Sequence, residues 1–332
     1  MRSDVHSISF ISGLVLLVLN TGPLVAAHFK ESFETDPFDR GWRVEGQHEL
    51  FAWQESTQSL ATIWDSSQPN SFYYLPLPRE LTEREDFGFS FDLELQEVQV
   101  GVSATKPSTF EIALGFFRRA DAFAEGYIRG TGRHTPNLVE WNYFPEAVPI
   151  TPTVTMAITS PQQQFLTDGF VNQLELVTGV VYHVNAQYVA GTRTLTMQMT
   201  VHGEPFGRPS YVVLPRGFAG FTFDAFGVSS YSDEGQFSPY GGSIYAQGKL
   251  DNLELRFEPT PPRLEVVSEA SGSLQLSFNA EPGELYVIES SADLEKWEPV
   301  TMIITDRLQA VSWNPNLGST ANQFYRLGIQ SQ

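Results

Sequence analysis

Carboxylates are the residues of this chain whose spacing first suggests chemistry. Hydrolysis of a glycosidic bond needs two of them at a set separation, one giving a proton and the other acting as base or nucleophile. Asp92, Glu94 and Glu97 fall within one short stretch. In an extended strand Asp92 and Glu94 share the face opposite Phe91, Leu93 and Leu95, which is a catalytic arrangement only if that face lines a cleft and a polar surface otherwise. Glu111 and Glu140 each stand alone among apolar neighbours and are expected to be solvated strand residues. Beyond residue 27 the histidines are His28, His48, His134, His183 and His202. None forms a His-Glu-x-x-His motif, and Gly-x-Ser-x-Gly is absent. His183 and His202 become cross-strand neighbours if the chain turns back between them. With no cysteine in 332 residues, disulfides, thiolate catalysis and zinc–thiolate centres are excluded.

Aromatic side chains offer a second chemistry. Sugar-binding sandwiches lay exposed rings against the C–H faces of a sugar, with polar groups at the edge. The segment Arg129–Pro145 carries Trp141 and Tyr143, which share a face with Val139, beside Arg133, His134, Asn137 and Asn142. Trp141, Tyr143, Arg133, His134 and Asn142 are the candidate sugar contacts, and the other reading is that the rings are core. Trp53 and Trp64 pose the same choice.

Charge narrows the partners. Acids outnumber bases 39 to 20, a formal net charge of −19. Phosphate backbones and anionic lipid must be met by clustered Lys and Arg, so nucleic acid and anionic membrane surfaces are excluded as partners. Acidity serves solubility, or collects Ca²⁺.

The elements that must hold these residues are strands. The chain has 25 Phe, 12 Tyr, 26 Gly and 21 Pro, a mixture of strand formers and turn formers. Tyr182–Gly203 alternates residue by residue, breaks at Ala190-Gly191-Thr192 and alternates again: a hairpin with one buried face. Phe87–Leu95 alternates cleanly. Further strands are expected near Leu50, Ser59–Trp64, Ser71–Leu75, Phe110–Phe117, Leu138–Phe144, Gln173–Val177, Phe218–Ser229 and Lys249–Phe257. The one helical candidate spans Arg118–Glu125. The fold class is all-β, a sandwich or jelly roll. Residues 1–27 read as a signal peptide cut after Ala27, with the apolar run Ile8–Leu19 too short to span a bilayer. No other stretch is apolar enough to cross a membrane. Pro-rich residues 259–262 form a linker between a domain over 28–258 and a compact block over 263–332.

Three motifs carry a resemblance. Tyr182-His183-Val184, Tyr188, Leu195, Met197, Met199, Val201 and Gly203 resemble a strand pair of the laminin-G-like, concanavalin A-like jelly-roll superfamily. Gly248-Lys249-Leu250-Asp251-Asn252-Leu253 is similar to its closing strand, and Glu31–Asp36 followed by Trp42 to its opening strand. The resemblance implies a concanavalin A-like sandwich over 28–258. Glucanases of that fold place their acids as Glu-x-Asp-x-x-Glu, and Asp92-Leu93-Glu94 departs from that order. Many jelly rolls hold one Ca²⁺ between the first and last strands, which makes Glu34, Asp36 and Asp251 the candidate ligands. The tail Tyr286–Trp297 with Phe324–Leu327 resembles a C-terminal β-module of secreted bacterial proteins, implying a small immunoglobulin- or fibronectin-like sandwich and an extracellular or envelope setting. The implied function is non-catalytic binding of an extracellular glycan; the alternatives are an adhesive envelope protein that binds another protein, and a glycan-active enzyme.

Overall fold

The computed structural model describes residues 27–129, 135–145, 152–169, 172–236, 241–257, 265–268, 274–280, 285–305, 309–314 and 324–330. The chain divides into two compact units, with the boundary after Glu258. Most of the expected signal peptide and the Pro-rich 259–262 lie outside the described residues.

The first unit is built from fifteen described strands. In chain order they are β1 (Ala27–Glu31), β2 (Arg43–Glu45), β3 (Phe51–Gln54), β4 (Ser59–Asp65), β5 (Ser71–Thr82), β6 (Phe87–Val100), β7 (Ile112–Phe117), β8 (Leu138–Phe144), β9 (Thr153–Thr159), β10 (Phe165–Thr167), β11 (Val181–Val189), β12 (Thr194–Val201), β13 (Glu204–Val213), β14 (Thr222–Ser230) and β15 (Ile244–Phe257). One sheet, the front sheet hereafter, runs β13-β12-β11-β6-β15-β4-β3, with β1 added on β15. The other, the rear sheet, runs β10-β9-β8-β7-β14-β5-β2. Their strand pairs are antiparallel.

Alternation sets which face is buried. In β6, Phe87, Phe89, Phe91, Leu93 and Leu95 are all buried. They meet the rear sheet through ring contacts: Phe89 with Phe116 and Phe226, Phe91 edge-on to Trp141 at 5.5 Å. The expected hairpin is β11–β12, paired from His183↔Thr200 to Val189↔Thr194, with Tyr182, Val184, Ala186 and Tyr188 buried. It does not stop at Gly203. His202 and Gly203 both take positive φ (51° and 83°), the two-residue turn that matches strand twist, and the chain continues into β13. Gln173–Val177 contributes only an isolated bridge to Thr153, not a strand. The helical candidate is a single turn, Arg119–Ala122.

The second unit holds six described strands, β16 (Glu265–Ser268), β17 (Leu274–Ala280), β18 (Leu285–Ser291), β19 (Glu298–Ile304), β20 (Gln309–Trp313) and β21 (Phe324–Gln330). They form two three-stranded antiparallel sheets, β16-β17-β20 and β19-β18-β21. Leu276 and Phe278 of one share a core with Tyr286, Ile288, Tyr325 and Leu327 of the other. Trp313 packs edge-on to Tyr325. Trp297 is half-buried, with the Arg326 guanidinium 4.5 Å over its ring.

Candidate functional site

The expected aromatic strip is not a surface. Trp141 and Tyr143 project from β8 between the two sheets and are 0% and 2% exposed, with the Tyr143 hydroxyl accepting from Leu176 N. Alternation did put them on one face; that face is the core. Trp64 is likewise buried, and half-buried Trp53 donates to Phe33 O. Asn142 points to the other face of β8 and is also buried. Arg133 and His134 lie outside the described residues.

That other face of β8 holds what the sequence did not reveal. Glu111 and Glu140, expected to be separate and solvated, are buried together on either side of Arg129. Arg129 Nη2 lies 2.9 Å from Glu140 Oε2 and 3.2 Å from Glu111 Oε2. Glu140 is fully engaged: its Oε2 also accepts from Asn142 Nδ2 at 2.9 Å, and its Oε1 accepts from Tyr231 OH at 2.7 Å. Among the described residues, Glu111 Oε1 and Asn142 Oδ1 have no hydrogen-bond partner. Burial, with Glu140 adding to it against the opposing pull of Arg129, pushes the Glu111 carboxyl up to about 8. A carboxyl with a raised pKa beside a second acid is a pattern met in acid–base catalysis. Here each member is at most 3% exposed and both are tied to one guanidinium, so the pair is closed to a substrate. It is an internal polar cluster that carries a proton. The signal for it lies 11 residues from Glu140 in sequence, Arg129 in the segment between the helical turn and β8.

The calcium trio does not assemble. As expected, the first and last strands of this unit pair, Glu31↔Leu253 being the end of that register. Beyond Glu31 the chain leaves the sheet, with Phe33 at φ 52°. Asp36 then accepts from Phe38 N and caps the short turn Pro37–Arg40, and Glu34 is exposed. Glu31, not Glu34, points inward. It is fully buried and accepts from Phe33 N, Arg40 and Trp42 Nε1. Among the described residues no three His, Asp or Glu side chains are placed to hold a metal ion.

The solvated face of the front sheet is where open polar groups gather. A depression of about 340 Å³ there is lined by Asp92 and Glu94 of β6, Lys249, Asp251 and Asn252 of β15, Val181 of β11, and Thr57 and Ser59 at the start of β4. The register explains the grouping: His183↔Asp92↔Asp251 form one row across three strands, and Val181↔Glu94↔Lys249 the next. A bulge between Asp251 and Glu254 puts Asn252 at φ 48° and turns its side chain outward. Asn252 Nδ2 donates to Asp92 Oδ2 at 2.9 Å, while Asp92 Oδ1 bonds His183 Nδ1 at 2.8 Å. His183 is therefore a partner of Asp92, not of His202, which lies in the following turn. Burial raises the pKa of Asp251, and Asp92 and Glu31 add to the effect. The acids named in the sequence, Asp92 and Glu94, thus sit on the wet face, in a shallow basin with donors between them.

No family model matches the chain, and no curated protein matches it either. Solved structures do. Peanut lectin in complex with a nonapeptide is 16% identical, with 71% of this chain and all of the lectin covered at a TM-score of 0.42. Lectin I from Ulex europaeus, bound to a methyl glycoside of α-L-fucose, is 11% identical over 70% of this chain and 98% of its own, TM-score 0.42. A galectin-like protein from Bacillus subtilis is 10% identical over 71% and 100%, TM-score 0.40. Among the described residues this chain is all-β apart from short helical turns, and its first unit is a sandwich of two antiparallel sheets.

Proposed function

We propose that the first unit is a non-catalytic carbohydrate-binding domain of an exported protein. The observation that carries this reading is the basin on the solvated face of the front sheet. Sugar hydroxyls both donate and accept, so a site for them interleaves the two kinds of group. Asp92, Glu94 and Asp251 supply acceptors, Lys249 and Asn252 supply donors, and Val181 supplies a small apolar wall. The basin is open to solvent, unlike the Glu111–Glu140 pair, which weighs against an enzyme. The residues N-terminal to β1 are read as the export signal, and the second unit as a fibronectin-like module that accompanies the binding domain.

A glycan array on the mature protein tests the reading, followed by titration calorimetry of any hit against Asp92→Ala and Asn252→Ala. Each variant should weaken binding about ten-fold or more, since each removes a hydrogen bond to the ligand and frees its protein partner. A blank array, or affinities unchanged in both variants, would falsify it.

A further inference from the structure

The solvated face of the front sheet continues past the basin. Its rows are set by register. Asp92 leads through His183 to Thr200; the next row toward the β11–β12 turn is Ser90, Asn185, Gln198; the next is Gly88, Gln187, Thr196, Tyr211. Tyr211 is 61% exposed, and so is Val213 two residues on, on the same face of β13. Among the described residues Tyr211 and Phe38 are the exposed aromatic side chains. From the basin to Tyr211 is three strands and two rows, roughly 20 Å at ordinary sheet spacings.

Side chains along this path hydrogen-bond one another. Arg256 Nη2 donates to Asn185 Oδ1 at 2.6 Å, and His183 is bonded to Asp92. Beside Arg256, what the middle of the path offers a ligand is uncharged: Gln187, Gln198 and Thr200. A Cβ at the buried Gly88 would lie 2.8 Å from Ala186 O, so close strand approach keeps a side chain out of that point.

We propose that this face is a track for an extended, neutral oligosaccharide. One end of the chain sits in the Asp92–Asn252 basin, amide and hydroxyl side chains follow its length, and the far end lies on the Tyr211–Val213 platform. The proposal rests on the carbohydrate reading above. Charge selects the occupant: the chain has a net charge of −19, and on the face itself Asp92, Glu94 and Asp251 outnumber Lys249 and Arg256, which disfavours polyanionic glycans. Stacking on Tyr211 serves a sugar's C–H face and needs no charge.

The test is calorimetry of the full mature chain with neutral cello- and malto-oligosaccharides, from disaccharide to octasaccharide, beside a polyuronate series. Affinity for one neutral series should climb with length. Tyr211→Ala should remove about ten-fold for the longest member and leave the disaccharide unchanged. Gln187→Ala, also at the surface, should lower the intermediate lengths. Affinity independent of length, or a Tyr211→Ala protein equal to wild type at every length, overturns the track while leaving the basin as a site. Equal binding of the polyuronates overturns the neutral assignment. No binding at any length, by wild type or variant, overturns the carbohydrate reading itself.

Discussion

Glu111→Gln should remove a pH dependence from the stability of this protein. The Glu111 carboxyl is held up to about 8 in the folded chain, by burial first and by Glu140 against the pull of Arg129, from an ordinary value of 4.5. The groups that face it are Arg129, Glu140, Tyr127 and Tyr231. Burial raises the pKa of both tyrosine hydroxyls, so they stay neutral, while Glu140 is ion-paired to Arg129 at 2.9 Å. An acid whose folded pKa is raised favours the fold most below its unfolded pKa. Between the two values unfolding releases a proton, so each step up in pH favours the unfolded chain. At about 1.4 kcal/mol per pH unit, the group's contribution falls by roughly 2–3 kcal/mol between pH 5 and pH 7. Glutamine copies the neutral acid and keeps an acceptor for Arg129, so the variant lacks this slope. Urea unfolding followed by tryptophan fluorescence at pH 5, 6 and 7 reads the difference between the two proteins, in which the other carboxylates cancel. For a unit of this size the same change shifts the melting temperature by about 5–10 °C. A wild-type minus variant difference that stays flat, or grows with pH, refutes the argument that Glu111 carries the cluster's proton.

Arg129→Met leaves Glu140 as an unpaired buried charge and should cost about 3–5 kcal/mol, read by the same unfolding assay; a loss below about 1 kcal/mol would count against the pairing. Trp141→Ala should cost about 3–5 kcal/mol of stability by opening a core cavity, and a fully stable variant would mean that the ring is at the surface after all. Glu31→Ala removes the acceptor for Phe33 N, Arg40 and Trp42 Nε1, so thermal unfolding should show a loss of about 3 kcal/mol or more, an unchanged melting temperature being the contrary result. Gly227→Ala would place a Cβ 2.4 Å from Tyr73 O. It should destabilise by about 1–3 kcal/mol, measured by denaturant midpoint, and a neutral outcome would show that the two strands can part.

Periodicity of two was enough to locate β6, β11, β12 and β15, because each has one buried and one wet face. It located β8 too, as Leu138–Phe144, but could not assign that strand a wet face, since both faces are buried. There the alternation of Val139, Trp141 and Tyr143 carries no information about which side is solvent, and the covering loop with Arg129 cannot be seen from the strand itself. Asp92 and Glu94 were visible as a shared face, but the partners that complete the basin, Lys249 and Asn252, are more than 150 positions away in the chain. Tyr211 gave no signal: it sits between Ser210 and Val212 in a stretch whose alternation is broken by Pro205, Gly207 and Pro209. The calcium expectation placed β1 beside β15 correctly and erred on which acid turns inward, a matter of one left-handed residue at Phe33.

The position of β15 has a kinetic meaning. It is the last strand of its unit in sequence, yet it lies inside the front sheet, between β6 and β4, and β1 also pairs with it. Until Phe257 has been made, β6 and β4 flank an open slot, each with a row of unpaired backbone groups. No N-terminal fragment can close the sheet, and the pairs that do close it, such as Ala27↔Phe257, join the two ends of the unit. Such contacts carry the largest loop-closure entropy available to the chain and form late. The unit therefore folds after its synthesis, as one event, and a ribosome that stops short of β15 releases a sticky half-sandwich instead of a smaller stable domain.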